Sequence, residues 1–269
     1  VTEGPCIDVW DLGTFDEDLR LILDERADLI RDYFLRERVV FETYDLAQGI
    51  DRPSFRPPNR LAPDFIRLNE NLIAPMEERR MRAFHYTRMT DFEVTQILEN
   101  GIQLSTPESL RHRIGALVRI GALALEDAEM MESESPFHTQ MHARCGKFWM
   151  ASHPIPIENS GVDRLLEYWG GEVASFHLTD EDLLERLAMI GQPRVIEISV
   201  PLSATKHSIS AAQAVVATFG RSLGCPADPR EFDLYIEAVL PAEAILSVHT
   251  IGDVGFKILG KTYQPGFMP

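Results

Sequence analysis

Apolar residues recur at helical spacing near the start of the chain. Leu19, Ile22, Leu23, Leu29, Ile30, Tyr33 and Phe34 mark one face, with Thr14 and Glu17 at capping-box spacing ahead of them. This predicts one amphipathic helix over residues 15–37. Residues 48–63 then hold Gly49, Pro53, Pro57, Pro58 and Pro63. Proline at that density prevents regular structure and predicts a linker or wrapping arm. A second short helix is predicted over 63–79.

From residue 82 strands and helices alternate. Arg82–Thr87 reads as a short strand whose end is His85-Tyr86-Thr87. Thr90 and Glu93 form a second capping box, and the helix they open, with Val94, Ile97 and Leu98 inward, ends at Asn100-Gly101. Ile102–Leu104 is briefly extended. Thr106-Pro107 starts another helix with Leu110, Ile114, Leu117 and Val118 on its inner face. Residues 121–144 read as a mobile, mostly acidic and helical insertion. Strands are predicted over 147–152 and 173–178, and a helix over 180–190 capped by Thr179 and stopped at Gly191. A buried strand over 194–202, a helix over 208–223, a turn-rich loop over 224–230, and strands over 231–240 and 244–250 complete the chain. Helices of uneven length between strands, without a regular βαβ rhythm, favour a mixed α+β sheet over a doubly wound one.

Composition narrows the setting. The 269 residues are 45% hydrophobic and 25% charged, ordinary for a globular chain of one large domain or one domain with an appendage. No apolar run reaches the roughly 18 residues of a membrane span. The opening VTEGPCIDVWDL has no basic stretch leading into an apolar one, so no secretory signal is expected. Cys6, Cys145 and Cys225 are scattered and form no CxxC pair, which fits a reducing cytoplasm. A formal charge of −16 repels phosphate backbones and argues against bulk nucleic-acid binding. Arg111, His112, Arg113 and Arg119, and the run Glu77–Arg82, are local basic candidates that read best as solvated faces.

GxGxxG, GxxxxGK[ST] and GxSxG are all absent. His138 and His142 stand i,i+4 with Cys145 nearby, a candidate zinc set. Thr139 occupies the place where HEXXH requires glutamate, so a polar surface helix is the simpler reading and no metal is expected. Cys145 and Cys225 lie near glycines but lack a nucleophile signature. The carboxylates that stand out are Glu172, after Trp169-Gly170-Gly171, and Glu231, after Pro229-Arg230. Glu237 would share a strand face with Glu231 at an even offset.

Phe84-His85-Tyr86-Thr87, followed by a helix closing on Ile97-Leu98-Glu99-Asn100-Gly101-Ile102, resembles the opening of the ADP-ribosyltransferase superfamily. The likeness is to its H-Y-E branch of diphtheria toxin and the poly(ADP-ribose) polymerases, and to DNA-targeting bacterial toxins of the same superfamily. Gly146–Ala151, Arg194–Val200 and Glu231–Ile236 resemble later strands of that branch in the same order, so the likeness spans roughly residues 82–250. It implies a mainly antiparallel split β-sheet with flanking helices (residues 81–269), preceded by an N-terminal helical and Pro-rich segment (1–80). It implies an NAD-dependent transferase acting on a protein or other macromolecular acceptor, of the kind used as a toxin or defence effector.

Under that resemblance His85 binds a ribose hydroxyl of NAD, the backbone of Tyr86 holds the carboxamide, and Thr87 assists. Phe148 or Trp149 supplies the stacking face, and Glu231 or Glu237 is the catalytic carboxylate, with Glu231 preferred. The chain departs from the family where Phe148-Trp149 replaces the second-motif tyrosine and where Tyr86 follows the histidine. Those departures leave open an inactive NAD- or ADP-ribose-binding module, or a protein that holds a partner through its N-terminal segment. An RNA 2′-phosphotransferase-like enzyme also stays open, though it would need a more basic cleft.

Overall fold

A computed structural model of the chain describes residues 4–46 and 54–261. The expected linker residues Gly49 and Pro53 lie outside the described residues, and 54–61 are irregular as their prolines require. The chain is α+β, with a six-stranded, mainly antiparallel sheet and flanking helices.

The strands are β1 (Cys6–Ile7), β2 (Arg80–Met89), β3 (Phe148–Ala151), β4 (Gln192–Pro201), β5 (Asp233–Ile236) and β6 (Ile245–Thr250). The first helices are α1 (Glu17–Asp24), α2 (Ala27–Val40), α3 (Ala62–Asn71), α4 (Ile73–Glu77), α5 (Asp91–Asn100) and α6 (Pro107–Arg119). Then come α7 (Leu125–Ser133), α8 (Phe137–Arg144), α9 (Asp163–Glu167), α10 (Glu172–Ser175), α11 (Glu181–Met189), α12 (Ser208–Ser222) and α13 (Val254–Leu259). Two compact units result: Val1–Arg82 with Pro201–Phe232, and Ala83–Val200 with Asp233–Pro265, each within the described residues.

The first unit is helical. The single helix expected over 15–37 is two, because the chain breaks at Glu25-Arg26. Asp16 rather than Thr14 is the N-cap, its carboxylate accepting from the Leu19 amide at 3.0 Å. Thr14 is already engaged, accepting from the Asp8 amide and donating to the Asp11 carbonyl. The helix expected over 63–79 is likewise α3 followed by α4. Helix α12 packs on α2, α3 and α4 and buries every residue from Ala214 to Gly220. Gly220 permits that approach, since a Cβ there would lie 2.7 Å from the Phe34 ring. Burying each large apolar side chain contributes roughly 1.5–3 kcal/mol. Strand β1 pairs in parallel with Arg80 and Met81.

In the second unit the strands run β5-β3-β2-β4-β6. Both expected N-caps of its early helices form: Thr90 with Glu93, and Thr106 with Ser109, are reciprocal capping boxes. Gly101 ends α5 at φ +77°, where a Cβ would fall 2.0 Å from the Leu240 carbonyl oxygen. Three expectations fail. The segment 173–178 is not a strand: Gly170 and Gly171, at φ +83° and +65°, turn the chain so that Glu172–Ser175 wind into α10. Asp180, not Thr179, caps α11, accepting from the Leu183 amide at 2.7 Å. The strand expected over 231–240 shrinks to Asp233–Ile236, because its partner β3 offers only the four residues from Phe148 to Ala151.

The acidic segment 121–144 is helical, as α7 and α8, and is anchored in the core by Ala128, Met131 and Phe137. Non-helical Gln140 (φ −125°, ψ 32°) interrupts α8 between His138 and His142, and His138 Nε2 is bonded to the Glu132 carbonyl. Among the described residues no helix is long and apolar enough to cross a membrane. No group of three or more His, Cys, Asp or Glu is placed to hold a metal ion among them either.

Candidate active site

Strand β2 runs well past the predicted end, so His85-Tyr86-Thr87 lies inside it and its period of two sorts the side chains. Phe84 and Tyr86 enter a core with Val162, Leu166, Val195, Phe256 and Leu259. The Tyr86 hydroxyl accepts from the Ile155 amide at 2.7 Å and donates toward the Leu259 carbonyl at 3.5 Å. Burial raises its pKa first, and the nearby Glu197 charge adds to the rise. The bulky Tyr86 side chain is therefore a core residue. His85 and Thr87 take the opposite face.

Strand β3 completes that face. The Phe148 ring lies 4.3 Å from the His85 ring. Trp149 faces the other way, its ring 4.6 Å from that of its cross-strand partner Tyr235 and its indole N–H on the Ala143 carbonyl. Of the two aromatic candidates, only Phe148 accompanies His85.

His85 Nδ1 lies 2.9 Å from the Trp149 carbonyl oxygen. A carbonyl only accepts, so Nδ1 carries the proton and, in the neutral ring, Nε2 presents a lone pair. The ring keeps some surface exposed, but the protein around it strips enough water to bring its pKa to about 4. Desolvation is the largest cause, the bond to Trp149 opposes it, and the positive charge of Arg113 reinforces it. At neutral pH His85 is an uncharged acceptor.

The Trp169-Gly170-Gly171-Glu172 turn lies against the same strand. Trp169 bridges Arg88 in parallel, and the Gly170 amide donates to the Arg88 carbonyl at 3.1 Å. A Cβ at Gly171 would lie 3.9 Å from Thr87 Oγ1, and one at Gly170 would lie 4.0 Å from Arg113 Nη2. Glu93 holds this region together. Its carboxylate accepts from the Thr90 amide (2.8 Å), the Thr90 hydroxyl (3.0 Å), the Trp169 indole (2.9 Å) and Arg113 Nε (2.7 Å). Burial alone would raise the Glu93 pKa, but the Arg113 charge and these hydrogen bonds outweigh it and leave the carboxyl lowered.

Three carboxylates were candidates. Glu231 is exposed and irregular, in the first unit; Glu237 is exposed in the bend after β5. Neither is in the strand, so the shared strand face expected for them does not form. Glu172 follows Gly171 directly and is ion-paired with Arg144. The solvated face expected for Arg113 does not form: its side chain is only 30% exposed, pairs with Glu93 and stacks on Trp169, in keeping with its place on the stripe of Leu110, Ile114 and Leu117, three residues after the first and four before the last. A cation on an apolar stripe was the available signal.

No family model, no curated protein and no solved structure matches the chain.

Proposed function

We propose that the second unit binds NAD on the His85–Thr87 face and transfers ADP-ribose to a macromolecular acceptor in the cytoplasm. The observation that carries this reading is the gathering of His85, Thr87 and Phe148 on one face, with His85 neutral and its Nε2 an acceptor. A ribose hydroxyl is a donor suited to that lone pair, and the Phe148 ring offers nicotinamide an aromatic surface. In the reaction the bond between the nicotinamide nitrogen and ribose C1′ breaks, and its electron pair leaves with nicotinamide. An acceptor oxygen or nitrogen then bonds to C1′ and gives up its proton to a carboxylate, which also faces the cationic ribose of the transition state. Glu231, Glu237 and Glu172 are the carboxylates to test.

The ion pair between Glu172 and Arg144 favours a second reading, in which NAD or ADP-ribose is bound without turnover. Incubation with labelled NAD, alone and with lysate, separates the two. Transfer or nicotinamide release by the wild type, lost in one of Glu231→Ala, Glu237→Ala or Glu172→Gln, supports the transferase and assigns its carboxylate. Binding without consumption supports the module. A wild type that neither binds nor consumes NAD overturns both.

A further inference from the structure

The geometry points to Arg113 as the anchor for the diphosphate of a dinucleotide, received beside the Gly170-Gly171 turn. This rests on reading the His85 face as an NAD site. Among the described residues Arg113 commits only Nε to protein, on Glu93, and its side chain is 30% exposed. Nη1 and Nη2 make no hydrogen bond to the protein among the described residues. The guanidinium sits 4.7 Å from the centroid of the Trp169 ring, so ring and carboxylate together fix its plane. Glu93 is itself saturated by the Thr90 and Trp169 donors, which leaves it little freedom to move. A pre-oriented fork with two open nitrogens suits a phosphate better than a mobile lysine does.

The neighbours agree. Gly170 and Gly171 are buried, and a Cβ at Gly170 would fall 2.5 Å from that of Ala174, so the turn packs tightly beneath Arg113 Nη2 and backs the fork rather than opening a cavity. From partly exposed His85 to Arg113, whose charge reaches that ring, the accessible groups run from a neutral acceptor to a cation. A ligand with an uncharged glycoside at one end and a diphosphate further along matches that order.

Calorimetric titration of NAD, ADP-ribose and phosphate-free nicotinamide riboside into the wild type, Arg113→Met, Arg113→Lys and Glu93→Gln tests this. Losing a charge-assisted fork should weaken NAD and ADP-ribose about 10- to 100-fold in Arg113→Met. Nicotinamide riboside should stay within about twofold, and Arg113→Lys should recover part of the loss. Equal weakening of all three ligands would make Arg113 a scaffold residue and overturn the inference. So would unchanged NAD affinity in folded Arg113→Met, with the NAD reading left standing. A wild type that binds none of the ligands removes the reading and the inference together. Glu93→Gln keeps the cation but loosens its hold, so it should weaken NAD and ADP-ribose by less than Arg113→Met does; a larger effect overturns the assignment to Arg113.

Discussion

Two arginine–carboxylate pairs, one in each unit, are built alike and finished differently. In the first unit Arg79 gives Nε and Nη2 to the two oxygens of Asp16, both at 2.6 Å, and Nη1 to the Pro75 carbonyl at 2.5 Å; only 6% of its side chain is exposed. In the second unit Arg113 gives Nε to Glu93 and, among the described residues, keeps both terminal nitrogens open. A guanidinium whose three nitrogens are all engaged by its own protein ties elements together. One held by a single nitrogen and stacked on a ring is oriented for something else. The difference lies in donor use, since the two carboxylates are similarly buried.

The comparison breaks most visibly at Arg79. Arg79→Met leaves Asp16 only its Leu19 amide and should cost about 3–5 kcal/mol in urea unfolding. Arg113→Met leaves Glu93 its Thr90 and Trp169 donors and should cost about 1–2 kcal/mol. Equal losses would put both arginines in the same structural class.

Acidification sharpens the site side. His85 has a folded pKa of about 4, below the roughly 6.5 of an unfolded chain, so the unfolded state takes up a proton first as pH falls. Its contribution to stability is intact above pH ~6.5 and declines toward about 4, by at most ~1.4 kcal/mol per pH unit. Replacing it, as in His85→Gln, should flatten that part of the pH–stability curve. An unchanged slope would mean that another group titrates there. The Asp16 carboxyl behaves in the same sense, lower on the pH scale. Its hydrogen bonds from Arg79 are the main cause of a lowered pKa, so its contribution is present above about pH 3.9 and is lost as pH falls through the lower folded value. Arg79→Met should remove that acid-limb dependence, which urea unfolding between pH 4 and 2 would detect.

Thr90→Ala gives the smallest effect. Loss of the cap should cost about 1 kcal/mol, and with one Glu93 donor gone Arg113 should become less ordered. Side-chain relaxation of the Arg113 Nε–H by NMR would register that; unaltered order would show that Trp169 alone fixes the fork.

Much of the frame could be read from residue patterns, for local reasons. The capping boxes at Thr90 and Thr106, the Gly101 stop and the buried run of β4 each declare themselves within a few residues. The failures came where long-range contacts decide. Val173–Leu178 is apolar enough for a strand, but Gly170 and Gly171 bring it round as a helical turn. The length of β5 is set by β3, more than eighty residues earlier in the chain. Residues from Leu19 to Phe34 share one apolar face, yet that pattern does not register the interruption at Glu25-Arg26. At the candidate site, alternation along β2 made the pairing of His85 with Thr87 legible. The choice of Phe148 over Trp149 was not legible, because it depends on the register of β3. Nor was the Glu93–Arg113–Trp169 cluster, whose members are brought together from α5, α6 and the loop after α9.

Calorimetric titration of NAD into the wild type and His85→Asn at pH 7.5 most directly tests the claim that the His85 face binds NAD. Saturable binding by the wild type, weakened at least about tenfold in a His85→Asn protein that melts normally, is the predicted result. No saturable binding by the wild type, or equal affinity in the folded variant, would contradict it.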